Sequence, residues 1–137
     1  MANIVPYTVD MAFRAIGNTK KQYVKEPSWN DVYQCVEEIE KGRVEFLSLV
    51  GPEVDNTHLA IIAKPGHYHI GIFIDEDEEY LFKASEFSNT KIDIAGNYWP
   101  EFQICKNFND LVLIVKEFFE NGKPSDLFNW IYFSDED

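Results

Sequence analysis

The stretch Tyr68-His69-Ile70-Gly71-Ile72-Phe73-Ile74-Asp75-Glu76-Asp77-Glu78-Glu79-Tyr80-Leu81-Phe82-Lys83-Ala84 sets five consecutive carboxylates between two apolar segments of strand length. Neighbouring like charges repel by roughly 1 kcal/mol per pair in water, so Asp75, Glu76, Asp77, Glu78 and Glu79 belong at a solvated loop tip. A short polar tip between two strands returns the chain antiparallel. The pattern continues upstream: Val44 to Val50 and His58 to Ala63 are two further strand-like segments, and Gly51-Pro52 and Pro65-Gly66 provide the breaks. Ile92 and Ile94 add a short strand downstream.

On the N-terminal side, Val5, Tyr7, Val9, Met11 and Phe13 are apolar at every second position, the strand period. Gly17-Asn18 supplies a turn, and Gln22-Tyr23-Val24 returns as a second strand. Helical spacing then takes over. Ser28 is an N-cap with Asp31 three residues on, and Trp29, Val32, Tyr33, Val36 and Ile39 form the apolar stripe up to a stop at Gly42. A second helix starts near Asn107, with Asp110 at the capping position. Its apolar face is Phe108, Leu111, Val112, Val115, Phe118 and Phe119, and it ends at Gly122-Lys123-Pro124. Trp130-Ile131-Tyr132-Phe133 leads into an acidic tail at 134–137. The sequence therefore predicts one α+β domain over residues 1–137, a mostly antiparallel sheet of about five to seven strands with two main helices packed on it.

Composition bounds what such a domain does. The chain has 137 residues, is 45% hydrophobic and carries 11 Phe, 7 Tyr and 3 Trp, enough for a packed core. Its 24 acidic residues against 12 basic give a net charge of -12, which argues against nucleic acid or an anionic membrane as direct partner. Met1-Ala2-Asn3-Ile4 lacks the basic start of a signal peptide, and no segment approaches the roughly 20 apolar residues of a membrane helix. A cytoplasmic protein is expected. Cys35 and Cys105 lack metal-site spacing and read as two buried thiols or, alternatively, one disulfide.

Candidate chemistry is sparse. His67 and His69 share one strand face, but a metal site needs a third ligand. With Ala63 facing His67 across the Lys64-Pro65-Gly66 turn, His58 falls on the opposite face. No serine sits in a nucleophile elbow, and no glycine begins a phosphate-binding loop. The acids from Asp75 to Glu79 lack the spacing and the glycine of a calcium loop. No cofactor, metal or catalytic residue is expected. Two readings of the acid run remain: a solvating hairpin tip, or carboxylates that imitate nucleic-acid phosphates and enter a basic cleft. Tyr98 and Trp99, within Gly96-Asn97-Tyr98-Trp99-Pro100, are either an exposed aromatic anchor or a pair packed beneath the helix that begins at Asn107.

The order Pro27-Ser28-Trp29-Asn30-Asp31-Val32, Phe46-Leu47-Ser48-Leu49, Gly66-His67-Tyr68, Gly96-Asn97-Tyr98-Trp99-Pro100, Ile104-Cys105-Lys106-Asn107-Phe108 and Val115 to Gly122 resembles a family of small bacterial α+β domains. That family is similar to the immunity proteins of polymorphic-toxin and contact-dependent inhibition systems, including those paired with deaminase toxins. The likeness covers roughly residues 26–128 and is most specific from Gly96 to Gly122. It implies a non-enzymatic protein that binds and neutralises a cognate toxin with a basic surface. Asp75 to Glu79 match no motif of that family, so their role rests on charge, with Tyr80, Tyr98 and Trp99 as candidate anchors. The alternatives are an acidic mimic of nucleic acid that blocks a defence enzyme, and a small ligand- or metal-binding domain using His67 and His69. Nothing in the residues demands a dimer.

Overall fold

The computed structural model describes residues 5–134; the start at Met1 to Ile4 and the acidic tail beyond 134 lie outside the described residues. At its centre run β3 (Val44–Val50), β4 (His58–Lys64) and β5 (His67–Ile74), paired antiparallel. Alternation decides which face each side chain takes. Leu47, Leu49, Leu59, Ile61, Tyr68, Ile70 and Ile72 are fully buried on one face. Burying each such side chain stabilises by roughly 1.5–3 kcal/mol.

That face carries both helices. In α1 (Trp29–Glu40), Ser28 Oγ accepts from the Asp31 N–H while the Asp31 carboxylate accepts from the Ser28 N–H, the reciprocal cap expected from the sequence. Its buried stripe is Val32, Cys35, Val36 and Ile39. α2 (Phe108–Asn121) is capped by Asn107, whose Oδ1 accepts from Asp110 N–H, and it buries Leu111, Ile114, Val115, Phe118 and Phe119. Gly122 ends it with a left-handed backbone, φ +70°, its N–H donating to Phe118 O.

Outside the central strands lie β1 (Asp10–Ala15) and β2 (Gln22–Lys25) on one side, and β6 (Glu78–Lys83) and β10 (Asn129–Ser134) on the other. A two-residue strand, β9 (Ile104–Cys105), pairs with the start of β5, completing an eight-stranded sheet among the described residues. The sheet is one strand larger than the expected upper bound: Trp130 to Phe133, read as a lead into the tail, forms the edge strand β10 on β6, β9 adds another, and the expected strand at Ile92 and Ile94 belongs to a separate sheet. A separate hairpin of β7 (Lys91–Ile94) and β8 (Asn97–Pro100) turns at Ala95-Gly96 and folds onto the face opposite the helices.

Two boundaries differ from the sequence reading. The alternation from Val5 predicts a strand, yet β1 begins only at Asp10. Tyr7 and Thr8 instead donate their N–H groups to Glu120 O and Phe119 O at the end of α2. The Tyr7 ring meets Phe118 edge-on at 5.8 Å, and its hydroxyl donates to Asp55. Gly51 and Gly122 make room for that ring: a Cβ on either would come within 2.1 and 2.4 Å of it. Second, β4 and β5 turn through two residues, Pro65 and Gly66, so Lys64 rather than Ala63 faces His67. Proline fixes the first turn position and Gly66, at φ +75°, takes the left-handed second one. The shift by one residue moves His58 onto the face of His67 and His69, opposite Phe73.

Candidate protein-binding surface

The face away from the helices is covered at one end only. There the Trp99 ring stacks on His69 at 4.1 Å, and Ile94 of the same hairpin is fully buried. The other end is open. Across it the register aligns Val50, His58, Phe73, Glu79 and Phe133 in one row, and Ser48, Ala60, Gly71, Leu81 and Ile131 in the next. Most of these side chains are partly exposed, and Phe133 is half exposed. Phe73 is the centrepiece. Its ring stacks on His58 at 4.8 Å and lies across Gly71, where an added Cβ would meet the ring at 3.1 Å and Leu81 at 3.3 Å. Burial lowers the His58 pKa, so at neutral pH it meets Phe73 as an uncharged ring.

The acid run borders this open end, though not as one loop. Asp75, Glu76 and Asp77 are the exposed tip between β5 and β6. Asp77 N–H donates to Ile74 O, and both central residues are left-handed, with φ +51° at Asp75 and +61° at Glu76. This geometry suits Asn-Gly far better than two acids. Glu78 and Glu79, expected in the tip, belong to β6. Glu78 accepts a 2.7 Å hydrogen bond from the Tyr132 hydroxyl, and Glu79 lies on the open face between Phe73 and Phe133.

A second acidic loop that the sequence reading did not connect joins them. The short helical turn Glu53–Asp55 between β3 and β4 brings Asp55 alongside, because Asp75 N–H donates to Thr57 Oγ1 at 3.3 Å. Asp55 and Asp75 line one shallow cavity of about 360 Å³ together with Tyr7, Ile74 and Gly122, so it opens toward the helix side of that sheet end. Only the pairing of β4 with β5 makes the two loops neighbours.

The aromatic candidates separate. Tyr98 is 67% exposed, whereas Trp99 is spent on His69 and not on the start of α2. Tyr80 faces the helix side, packed against the core with its ring 5.0 Å from Tyr132. Burial and then Glu78 raise its pKa. His69, which shares a strand face with His67, is 8% exposed, and burial lowers its pKa to about 4 despite a contact with Gln103. His67 Nδ1 lies 3.2 Å from Pro65 O. Among the described residues no three of His, Cys, Asp and Glu gather closely enough to hold a metal ion. Cys35 and Cys105 are free and buried, their thiols pushed up to about 12 and about 11 by desolvation first. Buried, protonated thiols of this kind are poor nucleophiles. The surface thus combines a partly exposed sheet face around Phe73 with acidic loops at one end of the sheet.

The chain belongs to the family of unknown function DUF6911, whose model matches residues 8–128. No curated protein matches it in sequence. The fold is similar to that of a hypothetical protein from Neisseria gonorrhoeae solved by crystallography. The TM-score is 0.67 at 21% identity, over 92% of this chain and 96% of that one.

Proposed function

We propose that this member of DUF6911 is a non-enzymatic immunity protein that neutralises a basic protein toxin by stoichiometric binding in the cytoplasm. The observation that carries the reading is the gathering of two acidic loops, Glu53–Asp55 and Asp75–Asp77, at one end of a sheet whose face away from the helices is partly exposed. Either element alone has a plainer use: acids solvate, and an isolated exposed apolar residue needs no explanation. Side by side they supply both parts of a fast, tight protein interface. The carboxylates steer a basic partner into encounter, and the apolar face around Phe73 holds it once docked. The net charge of -12 extends that steering field beyond the patch itself. Protection of a producing cell calls for nanomolar affinity, about -12 kcal/mol.

The test has two steps. The tagged protein is first used to recover partners from lysate of its own cells at low and at high salt. The recovered protein is then expressed alone and together with this chain. The reading requires that the partner be basic, arrest growth alone, and be silenced by co-expression. A partner that is harmless alone, such as a nuclease of host defence, would replace the toxin with an enzyme blocked by mimicry. Recovery of nothing at either salt would sink both.

A further inference from the structure

The two edges of the sheet are built to opposite rules. β2, at one edge, has four residues, follows Lys20 and Lys21 and ends in Lys25, the usual protection against strand addition. β10, at the other, runs Asn129-Trp130-Ile131-Tyr132-Phe133-Ser134 without a charge, a proline or an irregularity in its pairing with β6. Among the described residues no strand pairs with its outer side. Alternate residues of an edge strand turn N–H and C=O outward, a template for one more strand. Tyr132 and Phe133 are each 50% exposed on its two faces. The edge is also set in acid: Glu78 and Glu79 lie opposite Ser134 and Phe133, the Asp75–Asp77 tip adjoins them, and Asp135-Glu136-Asp137 follows in the sequence.

We infer that β10 is a docking edge for an extended segment of the partner in which Lys or Arg alternates with apolar residues. The added strand would take up the outward backbone groups of β10. Its apolar side chains would continue the row of Leu81 and Ile131, and its cations, on the other face by the two-residue period, would fall on the side of Glu78. Charge selects this occupant over a second copy, since two copies would bring two chains of net charge -12 together with their acidic ends at the same edge. The inference rests on the binding reading above and names the backbone that does the binding.

The probe is a capped ten-residue peptide alternating lysine and valine, with a glutamate–valine peptide as control, added to the full chain. Hydrogen exchange resolved by residue is read at β10. The expected result is at least tenfold slower exchange at alternate β10 amides with the lysine peptide only. In Phe133→Lys the new cation faces Glu79 and supports the β10–β6 pair, so that variant should stay folded and lose the protection. Lysine-peptide binding that leaves β10 exchange unchanged would overturn the edge, while leaving the electrostatic reading in place. Protection that grows with protein concentration and needs no peptide would overturn it in favour of a second copy. No response to either peptide would overturn it as well. A failed growth rescue, by contrast, would remove the toxin without touching this result.

Discussion

His69 shows how much one side chain sets. Stacked under Trp99 and desolvated, it binds a proton only near pH 4, whereas in the unfolded chain it does so near 6.5. Between those values the unfolded state holds the extra proton, so stability rises with pH across the window and falls as pH drops through it. We expect the loss between pH 7.5 and pH 5 to include on the order of 1–2 kcal/mol from this residue. His69→Phe keeps the stack and removes the proton. Urea midpoints at the two pH values should differ less in that variant than in the parent. At the acidic turn the backbone makes the opposite kind of statement. Asp75→Asn with Glu76→Gly suits the left-handed turn and removes two repelling charges, so it should stabilise the free protein by about 1 kcal/mol. The same pair should slow association with a basic partner about tenfold at low salt. A gain in stability with no change in association would assign the turn to solubility alone.

At the scale of elements, the strands, helices and caps were largely legible, because each rests on local periodicity or on a pair three residues apart. Ser28 and Asp31 are such a pair, and Ser28→Ala should cost about 1 kcal/mol in a urea titration, with α1 still formed. What the sequence hid depends on register and on pairing between distant segments. A hairpin turn shorter by one residue moved His58 beside Phe73. The Glu53–Asp55 turn looked like an ordinary loop, and its partnership with Asp75 exists only through Thr57. Trp130 to Phe133 has no polar alternation to reveal an edge strand, since both of its faces carry aromatic or aliphatic side chains. The candidate site was therefore half readable: its carboxylates by composition, its apolar floor not at all. The surroundings of Tyr80 and Trp99 were hidden for a related reason, as the neighbours of an aromatic are fixed by which face it occupies.

For the whole molecule, a net charge of -12 on 137 residues means that folding draws like charges together. Raising salt from about 10 mM to about 150 mM shortens the screening length from about 30 to about 8 Å. The free protein should become more stable over that range while its grip on a basic partner weakens. Calorimetry of the free chain and association kinetics of the complex, run on the same buffers, would show the two trends crossing; parallel trends would mean that the acids do not meet the partner. The clasp of Tyr7 between Gly51 and Gly122 has a consequence of another kind, one of timing during synthesis. Tyr7 leaves the ribosome well before its hydrogen-bond acceptor at Glu120 and Gly122, which admits its ring. The sheet can begin to assemble while the chain is still growing, but the Tyr7 segment must wait, unlatched, until α2 has been made.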